Sequence, residues 1–187
     1  VTKSQELSKI NLLIETNHFH FGENKVQEAY LKWQSLVLNN PKLQLHLIGK
    51  LQSNKAKDAF EIFHYIHVLD NEKLAQIFAK LESNSLKKIK YFIQVNVGNE
   101  PQKNGISINK LNEFIKYCIN DLKLNVIGLM CIPPIEGDPI HHFKRLAEIA
   151  NENNLKELSM GMSNDYEYAI KNGATFVRVG SKIFSDD

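Results

Sequence analysis

The sequence predicts an α/β protein of the (β/α)8 TIM-barrel type. Three observations carry that expectation. Short β-rich runs alternate with amphipathic stretches along the whole chain, which implies parallel strands joined by crossover helices. Eight such units can be counted over 187 residues if the stub at Val1 is included, and eight units favour closure over an open sheet. The last two strands each end in a turn of small residues, Gly161-Met162-Ser163 and Gly180-Ser181, where barrels of this type commonly hold phosphate.

The elements follow in order. Val1-Thr2-Lys3 reads as the last residues of a first strand. Leu7, Ile10, Leu13 and Ile14 repeat at helical spacing and place a helix over about 7–16. A strand is expected around His18 to Phe21, then the turn Gly22-Glu23-Asn24 and a helix over about 26–38, with Pro41 closing the connection. Leu43 to Ile48 is the next strand, followed by Gly49 to Ser53 and a helix around 54–63. Tyr65 to Leu69 is a strand, and Asn71 opens a helix to about Leu81. Tyr91 to Val97 is a strand, 98–105 a polar loop and Ile108 to Asn120 a helix. Leu124 to Met130 is a strand running into Pro133-Pro134, and a helix spans Ile140 to Asn151. Glu157 to Met160, a helix over about 165–171 and Thr175 to Val179 complete the set. A single domain is expected over 1–187, because no linker or low-complexity tract interrupts the rhythm.

Composition narrows the function classes. A formal net charge of +2 is too small to argue for a nucleic-acid surface, and no basic run interleaves with aromatics. Lys87, Lys88 and Lys90 fit a solvated helix-to-strand connection. No apolar run approaches the roughly 20 residues of a membrane span. Cys118 and Cys131 read as free buried thiols in a reducing cytoplasm rather than as a disulfide.

Candidate chemistry is sought at the C-terminal strand ends. The two Gly/Ser turns let backbone N–H groups approach an anion, and a helix beginning near Ser163 would aim its positive end at it. Lys3 closes the first strand. It is either a solvated lysine or an amine pointing into the barrel mouth, where partial desolvation would make it a nucleophile toward a carbonyl. A lysine of that kind opposite a phosphate cradle points to an aldehyde phosphate, with pyridoxal 5′-phosphate as the candidate. Arg178 interrupts an apolar strand, so it is either ion-paired to a neighbouring carboxylate or directed at a ring nitrogen of that ligand. Asn24 either caps the next helix or orients a hydroxyl of the ligand. His18 and His20 form an H-x-H on one strand face and raise a metallohydrolase alternative, but no strand-end carboxylate completes such a site. His64, His67, His141 and His142 fit exposed positions about as well.

Together these motifs resemble the pyridoxal phosphate homeostasis protein family, the YggS/PROSC-like proteins related to the alanine racemase barrel. The carriers are Val1-Thr2-Lys3, the run Phe21-Gly22-Glu23-Asn24-Lys25-Val26-Gln27-Glu28, and His46-Leu47-Ile48-Gly49-Lys50-Leu51-Gln52-Ser53-Asn54-Lys55. Ile93-Gln94-Val95-Asn96, Lys103-Asn104-Gly105-Ile106, Gly128-Leu129-Met130, Leu158-Ser159-Met160-Gly161-Met162-Ser163 and Val177-Arg178-Val179-Gly180-Ser181 follow in the family's order.

The resemblance implies that Lys3 forms an aldimine with pyridoxal phosphate, with Thr2 in place of the family's usual Ser. It implies that Met162, Ser163, Gly180 and Ser181 hold the phosphate, that Arg178 meets the pyridine nitrogen and that Asn24 lines the cofactor. Lys25 stands where the family often has tyrosine. The family also carries a helix and most of a first strand before this lysine, so both are expected to be truncated here. The implied function is a cytoplasmic, non-catalytic protein that holds the cofactor and buffers or delivers it, with apo forms of pyridoxal-phosphate enzymes as partners. The alternative is a racemase-type enzyme. Because the racemases resembled take one acid/base from an added C-terminal domain and a partner subunit, the chain's end at Asp187 favours a binding protein and a monomer.

Overall fold

The computed structural model describes residues 1–100, 102 and 104–184. Its framework is a parallel sheet curled into a nearly closed barrel with helices outside. The strands are β1 (His20–Glu23), β2 (Gln44–Leu47), β3 (Tyr65–Leu69), β4 (Lys90–Asn96), β5 (Ile106–Ser107), β6 (Val126–Cys131), β7 (Glu157–Met162) and β8 (Phe176–Arg178). They run β1-β2-β3-β4-β6-β7-β8, with the two-residue β5 paired to β4 off this path. All pairings are parallel, so the C-terminal strand ends gather at one mouth.

The helices are α1 (Leu7–Glu15), α2 (Val26–Asn39), α3 (Ala56–Ile62), α4 (Glu72–Ser83), α5 (Ile108–Lys116), α6 (Pro139–Glu152), α7 (Tyr166–Lys171) and α8 (Ser181–Phe184). Local chemistry sets several starts. The Asn71 side chain accepts the Leu74 N–H at 2.9 Å to cap α4. Asp138 accepts the Ile140 N–H at 2.9 Å to cap α6, with Pro139 in its first turn. α5 continues into a π-helical turn over Tyr117–Asp121 that buries Cys118.

Most expected elements are present within a few residues. Four differ. The first strand is absent as a strand: the Thr2 N–H donates to Gly22 O at 2.9 Å and the Val1 amine to Val179 O at 2.6 Å, and the chain then turns away at Lys3-Ser4. Two residues thus bridge the edges of β1 and β8 without forming a ladder. Below them lies a cavity of about 470 Å³ whose lining includes Phe21, Gly22, Phe176 and Val177. After the loop expected over 98–105 comes a two-residue strand that was not expected, β5. The helix expected over 54–63 divides into a 3-10 turn at Ser53–Lys55 and α3. The helix expected over about 165–171 is α7, which begins at Tyr166 and not near Ser163, the start expected for a helix aimed at an anion. Lys103, part of one quoted motif, lies outside the described residues.

Candidate functional site at the barrel mouth

Of the residues singled out from sequence, Arg178, Met162, Ser163, Gly180 and Ser181 lie where β7 and β8 end, while Asn24 and Lys3 lie on the β1 side. Arg178 ends β8 and is 8% exposed. Its NH1 donates to Ser159 Oγ at 2.9 Å and its NH2 to Cys131 O at 2.8 Å. No ion pair to a carboxylate holds it among the described residues, so the first of the two readings of Arg178 finds no support. Burial pulls the guanidinium down from its ordinary value, with Cys131 and Asp165 opposing the shift. Five N–H donors on a fixed fork, two of them bonded here, leave capacity for a further acceptor.

The two Gly/Ser turns meet. The Gly180 N–H donates to Ser163 Oγ at 3.4 Å, a weak bond that ties β8's exit to β7's. Gly161 has φ +90, and a Cβ there would crowd Ala169 and Tyr166. That backbone geometry needs glycine. Asp165 folds back so that its Oδ1 accepts the Met162 N–H at 2.6 Å. This closes the turn ahead of α7, so residues 162–165 form a side-chain-closed loop and no helix begins at Ser163. Ser181 opens α8 at the same place, and Lys182 Nζ sits 4.9 Å from the centroid of the Tyr166 ring. Lys182 was not anticipated; its cue is its place one residue after the Gly-Ser turn.

Asn24 follows β1 and is half-buried. It does not cap α2, whose N-cap is Lys25 without a side-chain bond. Its backbone is fixed by Gly49, where a Cβ would overlap the Asn24 carbonyl. Lys3 is exposed, so the partial desolvation expected of it is not present. It stands in a turn closed by the Gln5 N–H to Thr2 O bond of 3.1 Å.

The structure also joins residues that the sequence left apart. His20 Nδ1 lies 3.0 Å from His46 Nε2, His46 Nδ1 lies 2.9 Å from His67 Nε2, and His67 Nδ1 lies 2.8 Å from Ser159 Oγ. This line of three imidazoles crosses the barrel interior and ends on Arg178. His67 is 2% exposed, which corrects the reading of it as a surface residue. His46 stacks on Tyr65 at 4.1 Å between centroids and His67 on Phe92 at 4.2 Å. With Arg178 donating to Ser159 Oγ, the serine hydroxyl is free to donate its hydrogen to His67 Nδ1, and in that arrangement each ring passes its Nε2 hydrogen outward. Both inner rings are then neutral. Burial first, and neighbouring basic groups second, hold His46 and His67 well below the usual histidine value. The H-x-H pair joins this line through His20, while His18 Nε2 bonds His20 O at 2.7 Å. No cluster of three or more metal-binding side chains is formed among the described residues.

The sequence profile of the alanine racemase N-terminal domain matches residues 6–187 and gives the class of this parallel barrel. Within that class the chain belongs to the pyridoxal phosphate homeostasis protein family. It is 37% identical over 177 residues to the pyridoxal phosphate homeostasis protein of Aquifex aeolicus, covering 89% of this chain and 76% of that one. It is 33% identical over 195 residues to the protein of the same name from Escherichia coli K12, covering 98% and 82%. Among solved structures, PipY of Synechococcus elongatus with pyridoxal phosphate bound superposes with a TM-score of 0.88 at 33% identity, covering 98% of this chain and 90% of PipY. Alanine racemase from Bartonella henselae shares the fold, with a TM-score of 0.74 at 14% identity.

Proposed function

We propose that this chain binds pyridoxal 5′-phosphate at the barrel mouth and serves its homeostasis inside the cell. The observation that carries the reading is Arg178. It is a buried guanidinium braced by a hydroxyl and a carbonyl instead of a carboxylate, with donors to spare beside two Gly/Ser turns. Those residues fit the cofactor: an acceptor nitrogen suits Arg178, and an anionic group suits Ser163, Gly180 and Ser181, whereas the Met162 N–H would serve it only if released by Asp165. Asn24 would line the ring. Lys3 would supply the amine that adds to the aldehyde carbon, with the carbonyl oxygen leaving as water. A bound pyridoxal phosphate provides a carbonyl and an electron-withdrawing ring. An arginine at the ring nitrogen donates a hydrogen bond without protonating it, which leaves that ring a poor electron sink.

That electronic setting, with the naming of the relatives, supports a binding protein rather than an enzyme. Apo forms of pyridoxal-phosphate enzymes are the proposed recipients. A monomer suffices, since one barrel carries every residue named for the site. The buried free thiols of Cys118 and Cys131 suit a reducing cytoplasm. No helix among the described residues is long and apolar enough to cross a membrane. The test is to load the protein with pyridoxal phosphate and supply D- and L-alanine separately. Retained cofactor with no steady interconversion is expected; sustained turnover would replace this reading with a racemase.

A further inference from the structure

Lys3 is exposed, yet the residues on either side of it are held firmly. Thr2 is fully buried. Its hydroxyl donates to Glu23 Oε1 at 2.8 Å, and its carbonyl accepts from Lys32 Nζ at 2.8 Å as well as from the Gln5 N–H. On the other side, the Ser4 N–H donates to Glu28 Oε1 at 2.8 Å. The three anchors are one unit. Lys32 Nζ reaches Glu23 Oε1 at 3.0 Å and Glu28 Oε1 at 3.3 Å, and its side chain is only 11% exposed. Trp33 Nε1 fixes the same Glu23 oxygen from behind at 2.9 Å.

Helix geometry explains the assembly. Glu28 and Lys32 are one turn apart on α2, Trp33 follows, and Glu23 ends β1 just before that helix. Ser4 pays for the arrangement in backbone strain, with φ 57 in the left-handed region that a turn normally gives to Gly or Asn. The Glu28 bond offsets part of that strain, and it is the largest cause drawing the Glu28 carboxyl below its usual range.

We infer that Lys32 is a positioning residue for Lys3: with Glu23 and Glu28 it clamps Thr2 and Ser4, so that the turn between them presents the Lys3 amine in one place. The inference rests on the proposed role of Lys3 as the amine that bonds the cofactor. A charged clamp suits this task better than apolar packing would, because it grips two backbone groups on opposite sides of an exposed residue. Its ammonium needs three acceptors and finds them on β1, α2 and Thr2.

The experiment compares wild type, Lys32→Met, Lys32→Arg and Glu28→Ala. Hydrogen exchange is followed on the unloaded proteins at the 2–5 turn. Borohydride-fixed Lys3 adduct is measured by mass spectrometry at one pyridoxal phosphate concentration. Total bound cofactor is measured by equilibrium dialysis. Lys32→Met should speed exchange at Ser4 and lower the Lys3 adduct roughly threefold to tenfold, the equivalent of about one lost hydrogen bond. Total binding should fall less, because the phosphate and ring contacts remain, and Lys32→Arg should recover most of the adduct. Should Lys32→Met fail to fold, Glu28→Ala decides, since that side chain is part-exposed and bonds only one flank. Unchanged exchange and adduct in the folded variants would overturn the clamp. An absence of Lys3 adduct in the wild type would instead overturn the role of Lys3 itself.

Discussion

Acid should destabilise this protein through the buried imidazole line. His46 and His67 are 5% and 2% exposed, and burial keeps both neutral in the folded state. In the unfolded chain both titrate near 6.5. Below that pH the unfolded state binds more protons, so stability falls as pH drops. Each group contributes up to about 1.4 kcal/mol per pH unit once its unfolded form is charged. From pH 7.5 to 5.5 the pair should therefore remove roughly 2–3 kcal/mol, a large part of the margin of an ordinary domain. A proton added to His67 would make Nδ1 a donor, so Ser159 would have to stop donating to it and accept from both His67 and Arg178. His64, drawn down to about 4, and His20 add slope of the same sign. Urea unfolding of wild type and His67→Gln at pH 7.5, 6.5 and 5.5 isolates the central ring. The variant should start less stable and lose up to one proton's worth of slope. A wild-type stability that is flat across this range, or an unchanged slope in His67→Gln, would refute the account of the line.

Three further outcomes are expected. Gly49→Ala should cost roughly 1–3 kcal/mol in urea unfolding and weaken cofactor retention, because its Cβ would displace the Asn24 backbone; a neutral substitution would remove Gly49 from the account of the mouth. Replacing Ser163 and Ser181 together by Ala should weaken pyridoxal phosphate binding by roughly 1–3 kcal/mol in a dialysis titration, and no change would take both hydroxyls out of the phosphate site. Cys118 and Cys131, whose thiols burial pushes up to about 12, should resist a thiol reagent at pH 8 until the protein unfolds; rapid labelling of native protein would contradict their burial.

The alternation of elements was readable because each apolar face shows its own period, and the strands from Tyr65, Lys90 and Val126 bury nearly every residue. The special residue of β8 was readable for the same reason, since a lone arginine between Val177 and Val179 has no reason to be there without a polar target. What stayed hidden was pairing across distance. His46 sits between Leu45 and Leu47, and His67 between Ile66 and Val68, so each invites a separate explanation. Only closure of the barrel brings His67 to Ser159, 92 residues away. The closed turn ahead of α7 was hidden by a local competition, in which the Asp165 carboxylate takes the Met162 N–H that a helix starting at Ser163 would have left for a ligand. The clamp around Lys3 was half visible. Glu28 and Lys32 have helical spacing, but nothing in that spacing says that they face Thr2 and Ser4.

The central claim is that this barrel mouth holds pyridoxal phosphate on Lys3. Protein freed of cofactor should develop a visible absorption band when pyridoxal phosphate is added. After borohydride reduction and proteolysis, the cofactor's mass should lie on the N-terminal peptide at Lys3, and Lys3→Ala should lack both the band and the modified peptide. A band of equal strength in Lys3→Ala, or a label distributed over other lysines in the wild type, would contradict the assignment.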